Sequence, residues 1–249
     1  MRIAALYDIH ANLPALEAVL REIAQIGVDR ILVGGDVVPG PMPRKTIERL
    51  SNLNLPCDFI QGNGEIAVLE ELAGKPATGV PAQHRPILQW TAQQLAPADA
   101  GLLSRWPPTI QMQHAELGEV LFCHATPRNA TEIFTRTTSE QRLLSTAFAG
   151  VNTAIVVCGH THMQFDRMVG NIRVINAGSV GMPFGKPGAC WLLIGSDIEL
   201  RCTAYDLEKA AETVRRTNYP QAREFAEHNI VRPPAEEEML RLFAGAEIK

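Results

Sequence analysis

The sequence lacks any apolar stretch approaching the ~18 residues that a membrane-spanning helix needs, so no membrane partner is expected. It lacks a dominant charge: 23 Lys and Arg stand against 27 Asp and Glu, a net charge of −4. So mild an acidity offers no bulk attraction to nucleic acid, which is not expected as a partner either. The 19 glycines form no triplet repeat, which excludes a collagen-like chain. Met1 to His10 reads MRIAALYDIH, without the separate basic, apolar and cleavage regions of a leader. Five cysteines, Cys57, Cys123, Cys158, Cys190 and Cys202, are an odd number set mostly in apolar runs. They read as buried reduced thiols of a cytoplasmic protein and not as a disulfide framework. No internal repeat or long low-complexity segment is visible.

What remains is the composition of a folded chain, 46% apolar and 20% charged. Its 249 residues suit one large domain or one domain with a small appendage. Ile3–Tyr7 reads as a buried strand, followed by a helix opened by Asn12 and Pro14 and closed by Gly27. A strand over Ile31–Val33, a helix over Pro43–Leu53 and a strand over Cys57–Gln61 continue the alternation. Parallel strands covered by helices follow from this β-α-β-α-β order. Gly74, Pro76, Gly79, Pro81 and Pro86 then mark a loop, and two short helical patterns follow around Ile87–Leu95 and Pro97–Leu103. We read residues 74–108 as a helical insertion over one face of the sheet.

Strands dominate afterwards: Thr109–His114 and Val120–His124 as a hairpin, then Ala154–Cys158, Gln164–Val169, Ile172–Asn176, Ala189–Ile194 and Ile198–Thr203. Two sheets are expected, one fed by βαβ units and one mostly antiparallel. From Asp206 the chain is helical again, with Pro233-Pro234 breaking it before Glu236.

The chemistry-bearing residues sit at strand ends. Asp8-Ile9-His10 ends the first strand, and in extended backbone residues i and i+2 point to one side. Asp36 follows Gly34-Gly35 after the second strand, and Asn63 stands in Gly62-Asn63-Gly64 after the third. His124 ends a fourth strand and His160-Thr161-His162 a fifth. Each of these residues alone fits a turn or a cap. Parallel strands deliver their carboxyl ends to one edge, so together Asp8, His10, Asp36, Asn63, His124, His160 and His162 read as a metal site.

Asp8-Ile9-His10, Gly35-Asp36, Gly62-Asn63, His124 and Gly159-His160-Thr161-His162 resemble, in order, the motifs of the calcineurin-like metallophosphoesterases. Asn176-Ala177-Gly178-Ser179-Val180-Gly181 is similar to the segment that follows in their small prokaryotic members. The resemblance covers about residues 1–217. It implies an α/β fold, a four-layer α-β-β-α double β-sandwich spanning 1–206 with the insertion at 74–108. Residues 207–249 would be a helical extension on or beside that core.

The resemblance further implies two divalent metal ions, Mn²⁺ first, with Fe, Zn²⁺ and Ni²⁺ as alternatives. Asp8, His10 and His162 would hold one ion, and Asn63, His124 and His160 the other. Asp36 would bridge them, with Asp36, Asn63 and His124 counted as catalytic. The implied activity is hydrolysis of a phosphodiester or small organic phosphate by a metal-bridged hydroxide, the substrate a small phosphoester with nucleotides among the candidates. The alternatives are a non-catalytic metal-binding scaffold of the same fold, or a dinucleoside polyphosphate or phosphoprotein phosphatase. A nuclease is disfavoured by the absence of a basic stretch.

The sequence departs from many relatives at Gly64, where they carry a His that helps protonate the leaving group. Glu65 reads as a helix cap. Arg44 and Arg128 read as solvated arginines, Trp90 and Trp106 as packing residues, and Cys123 and Cys158 as core thiols.

Overall fold

The computed structural model describes residues 1–75, 77 and 80–248. In chain order its strands are β1 (Ile3–Leu6), β2 (Arg30–Val33), β3 (Cys57–Phe59), β4 (Thr109–His114), β5 (Gly118–Cys123), β6 (Ile155–Cys158), β7 (Phe165–Val169), β8 (Ile172–Asn176), β9 (Ala189–Ile194) and β10 (Ile198–Thr203). Its helices are α1 (Leu13–Ile26), α2 (Pro43–Ser51), α3 (Asn63–Leu72), α4 (Arg85–Gln94), α5 (Pro97–Leu103), α6 (Glu140–Ser145), α7 (Leu207–Arg215), α8 (Ala222–Phe225) and α9 (Glu236–Ala244). A π-helical turn over Ala226–Val231 continues α8.

Among the described residues the strands form two five-stranded sheets, ordered β10-β9-β1-β2-β3 and β4-β5-β6-β8-β7. The period-2 alternation of strands decides which side chains go where. Ile3, Ala5 and Tyr7 meet Val120, Phe122, Ile155 and Val157 between the two sheets. Ala4 and Leu6 turn outward onto Leu16, Val19 and Ile23 of α1. Leu121, Cys123, Val156 and Cys158 face the other way, under Phe134, Leu143 and Phe148. Both faces of each sheet are therefore covered, which is why the central strands read as unbroken apolar runs. The layers are those of the double β-sandwich.

The second sheet departs from the expected antiparallel order. β4 and β7 pair antiparallel with their neighbours, but β5–β6 and β6–β8 are parallel. The chain after β5 crosses back over α6 before entering β6, and hairpin signals do not reveal such a crossover. The loop expectation at Pro76 and Gly79 lies outside the described residues.

The helix signals act as the sequence suggests. Asn12 caps α1 by accepting from the Ala15 N–H, and Gly27 closes it with φ 73°. Trp106 stacks on Phe59 at 4.7 Å, and Trp90 meets Tyr219 edge-on. A further apolar cluster joins Met42 and Ile87 to Val214, Tyr219, Phe225 and Ile230, so the C-terminal helices pack beside α4 and the start of α2. No helix of the described residues is long and apolar enough to cross a membrane.

Candidate metal centre

β1, β2 and β3 run parallel in one sheet, as do β5 and β6 in the other. Their carboxyl ends meet at one edge of the sandwich and deliver Asp8, Asp36, Asn63, His124 and His160. The local route differs from simple strand alternation. β1 ends at Leu6, and Asp8 and His10 have φ values of 53° and 46°. A left-handed turn, not extended backbone, aims both side chains at the centre, while Ile9 enters the core as expected. Asp36, His160 and His162 share this conformation, with φ of 52°, 68° and 58°. Five of the six described non-glycine residues with positive φ are thus candidate ligands. Such backbone is uncommon for these residue types and persists only where the surroundings impose it.

The surroundings that impose it are identifiable. The Ser179 hydroxyl donates to the Asp8 carbonyl at 2.7 Å, and the Asn12 amide donates to the Gly181 carbonyl at 2.9 Å. The Asn176 amide donates to Gly159 O and to the Thr161 hydroxyl, which fixes the turn before His160. Asp8 Oδ2 accepts the His160 N–H at 2.8 Å, tying the first and fifth strand ends together.

Of the carboxylate–imidazole pairs Asp8 and His162 come closest, with Oδ1 and Nε2 3.3 Å apart. Asp8 Oδ1 also lies 3.9 Å from the Nε2 atoms of both His10 and His124. Asp8, His10 and His162 form one tight group of potential ligand atoms, and Asp8, Asp36 and His124 a second. Asn63 Oδ1 lies 2.9 Å from His124 Nε2. His160 joins neither tight group. Its ring sits edge-on to His124, centroids 5.2 Å apart, beside the hollow that Asn63 lines.

The donor chemistry fits a cation. His10 Nδ1, His162 Nδ1 and His124 Nδ1 face the carbonyls of Pro39, Met182 and Gly34. A carbonyl only accepts, so each Nδ1 carries a proton, and in the neutral ring each Nε2 keeps its lone pair. The Nε2 atoms of His10 and His162 then face one another at 3.2 Å, acceptor against acceptor. His124 Nε2 and Asn63 Oδ1 make the same pairing. A cation between such atoms, or a second proton on one of the rings, makes the contact favourable. Asp8 Oδ1 is buried without a hydrogen-bond partner, which is costly unless a cation meets it.

The titrations follow the same geometry. Burial alone would raise the Asp8 carboxyl, but the imidazoles of His162, His124 and His10 hold it well below the usual range. Burial lowers His10, against the pull of Asp36 and Asp8. Burial, with His124 adding to it, takes His160 down to about 4. Burial would lower His124 too, yet the carboxylates of Asp36 and Asp8 outweigh it and raise the group.

Glu65 does more than its sequence position announces. It caps α3 by accepting the Gly62 N–H at 2.8 Å, as expected. It also reaches across to accept the N–H groups of Asp36 and Val38, at 2.9 and 3.0 Å. One fully buried carboxylate therefore clamps the turns that carry Asp36 and Asn63. Burial and the nearby Asp36 push Glu65 up to about 7. The spacing Gly62-x-x-Glu65 signals a cap; the second attachment, 27 and 29 residues away, leaves no local trace.

Gly64 is equally constrained. A Cβ there would stand 2.2 Å from the Val38 carbonyl oxygen and 2.9 Å from Asp36 Oδ1. The Gly64 N–H instead donates to Asp36 Oδ1 at 2.7 Å. Arg44 and Arg128 pair with Glu48 and Glu132, and Cys123 and Cys158 are buried in the core, all as expected.

Residues 1–197 match the model of the calcineurin-like phosphoesterase superfamily domain. An uncharacterized protein of Methanocaldococcus jannaschii is 28% identical over 243 residues, covering 88% of this chain and 94% of its own. A hypothetical protein from Pyrococcus horikoshii shares the fold with a TM-score of 0.78, at 19% identity over 94% of this chain and 99% of that one. A metallophosphoesterase from Sphaerobacter thermophilus gives 0.67, at 24% identity over 91% and 97%. Family match, double-sandwich fold and a seven-residue constellation of oxygen and imidazole donors agree: the chain belongs to the calcineurin-like phosphoesterase superfamily.

Proposed function

We propose that the centre holds two divalent ions and that the chain hydrolyses a phosphodiester or a similar small organic phosphoester. The observation that carries this reading is the placement of Asp36. Its Oδ1 lies 3.5 Å from His124 Nε2 and its Oδ2 lies 3.7 Å from His10 Nε2. One carboxylate thus faces both halves of the cluster. Asp8, His10 and His162 would hold one ion, Asn63, His124 and His160 the other, with Asp36 shared. Oxygen and imidazole donors suit Mn²⁺, Fe, Zn²⁺ or Ni²⁺, and Mn²⁺ is the first choice. When bound, such a pair supplies an activated water and neutralises charge on the phosphoryl group.

The chain's own contribution is orientation. The carbonyls of Pro39, Met182 and Gly34 fix three imidazole tautomers so that Nε2 faces the centre. Two carboxylates, Asp8 and Asp36, leave two divalent ions with net positive charge, which favours an anionic phosphoryl group. Gly64 offers no proton to the leaving oxygen, which must depart as an anion or take a proton from water. Aryl esters and anhydrides should therefore be cleaved far faster than alkyl esters.

The test is a panel of phosphodiesters, phosphomonoesters and nucleotides, assayed after metal removal and reloading with each ion in turn, alongside elemental analysis. About two ions per chain and turnover that falls with leaving-group basicity are expected. Tight metal binding without turnover of any phosphoester would favour the scaffold alternative; a metal content near zero would sink both.

A further inference from the structure

Three hollows border the candidate ligands, and they differ in chemistry. The one beside His162 encloses about 600 Å³ and is edged by Lys186, Glu236 and Glu237. The one beside Asn63 and His160, about 580 Å³, includes Ile66, Thr131 and Ile133. The third, about 300 Å³, opens beside His10 and Pro39. Its walls are Ile87 and Leu88 of α4, with Met182 and the aromatic rings of Tyr219 and Phe225. Those two rings meet edge-to-face, centroids 5.9 Å apart.

We propose that this third cavity binds the nucleobase of a nucleoside phosphoester whose phosphoryl group sits at the metal centre. The assignment rests on the phosphoryl reading of that centre and extends it to the organic half of the substrate. Four observations carry it. First, His10 is both a candidate ligand and a cavity wall, and its Nδ1–H bonds Pro39, the next wall residue. A group esterified to phosphorus at the His10 edge therefore has this cavity beside it. Second, the walls are aliphatic and aromatic, which suits a flat ring stacked on side chains. Third, no described lysine or arginine lines the cavity, and Glu224 stands on it. The exposed imidazoles of His84 and His228 complete its polar lining, so a second phosphate or a carboxylate on the organic half would meet no permanent positive charge there. Fourth, the half-buried amides of Gln221 and Asn229 line it too. Each offers a donor and an acceptor together, the pattern presented by a base edge.

At about 300 Å³, the low end for ligand pockets, the cavity has room for one nucleoside. Tyr219, Gln221, Phe225 and Asn229 all lie beyond residue 197, where the family match ends. The C-terminal helices thereby acquire a role: with α4 they shape a recognition site against the shared metal centre.

Phosphonates test this without turnover, because their P–C bond is not cleaved and leaving-group chemistry plays no part. Calorimetric titration of the Mn²⁺-loaded protein would compare methylphosphonate, phenylphosphonate and the methylenephosphonate analogue of adenosine monophosphate. Phenylphosphonate should bind at least tenfold tighter than methylphosphonate, and the adenosine analogue tighter still. Leu88→Trp, filling the buried wall, and Asn229→Trp, filling the half-buried side, should each drive the phenyl-to-methyl ratio toward one, compared at matched metal content. A ratio near one in the unmodified protein, or one that survives both variants, overturns the cavity. An adenosine analogue no tighter than phenylphosphonate overturns the nucleobase assignment. If neither simple phosphonate binds, the phosphoryl reading fails and the cavity falls with it; if both bind equally, only the cavity fails.

Discussion

The two halves of the candidate centre are built differently. Around His10 and His162 the ligands stand on left-handed turns, and the half has a carboxylate of its own, Asp8, buried with an unpartnered oxygen. Around His124 the candidate ligands come from a strand end, from the first residue of α3 and, at His160 alone, from a left-handed turn, and Asn63 is neutral. That second half contains two imidazoles pushed in opposite directions, His124 up by Asp36 and Asp8 and His160 down by burial. Its main negative charge is the carboxylate it shares, Asp36. On the proposed metal assignment one half is therefore close to self-sufficient, while the other leans on Asp36.

The largest effect should come from removing that bridge. Asp36→Asn should lower kcat/KM by about 10³-fold or more, since metal activation supplies several kcal/mol. Elemental analysis should fall to one ion per chain or less, and anomalous scattering from crystals of the variant should place the ion that remains in the Asp8 half. Equal loss from both halves would break the comparison.

Asn63→Ala should come next. It removes a ligand from the weaker half alone, so metal content should drop from about two ions per chain toward one. Retention of both ions would mean that Asn63 is a structural residue of the α3 terminus.

Glu65→Gln sharpens the comparison. The amide keeps one acceptor of the carboxylate and replaces the other with a donor, which cannot meet the backbone N–H groups it faces. Affinity for the second ion should fall roughly 10–100-fold, the scale on which supporting contacts act, with the first ion less affected. Competition with a chelator of known affinity measures both.

The smallest effect concerns pH in the metal-free protein. Burial keeps His160 and His10 deprotonated in the fold below the usual histidine range. Between about pH 6.5, where an unfolded chain takes up the proton, and about pH 4, where folded His160 does, the unfolded state holds a proton at His160 that the folded state lacks. The stability that His160 contributes should therefore fall as pH drops through that window, read as the difference in the slope of Tm against pH between the protein and a His160 variant. His124 and Glu65, both raised, work the other way, and their contributions are lost only as pH rises through their folded values, about 7 for Glu65. His160→Asn, a residue type that tolerates left-handed backbone, should flatten the acid-side loss. An unchanged slope in that variant would place the loss elsewhere.

Much of the centre was legible because its residues follow apolar strands, where Asp, Asn and His have little packing reason to be. The α1 cap, the Gly27 stop and both faces of β1 were legible for the same reason: short-range periodicity sets them. Four features were not. The positive φ of Asp8 and His10 comes from contacts with Ser179 and the Gly181 segment, some 170 residues away. The parallel pairing of β5 with β6 depends on a crossover that tight-turn signals do not describe. The second grip of Glu65 and the cavity between α4 and the C-terminal helices likewise join distant segments, each of which reads locally as an ordinary cap or amphipathic helix.

The left-handed turns also set limits on protein engineering. Left-handed backbone costs roughly 1–2 kcal/mol per ordinary residue, and Gly or Asn relieves most of it. At Asp8, His10, Asp36, His160 and His162 the substitution that most relaxes the backbone is therefore one that discards or weakens a ligand. A stabilised catalyst has to draw its gains from elsewhere, for instance the exposed Leu242 on α9 or Met168 on β7. Conversely, a relative that had abandoned its chemistry would be free to drift toward Gly at these five turns. The residue found at each of them is a cheap diagnostic, readable from sequence alone, of whether a given copy of this fold still has a metal to hold.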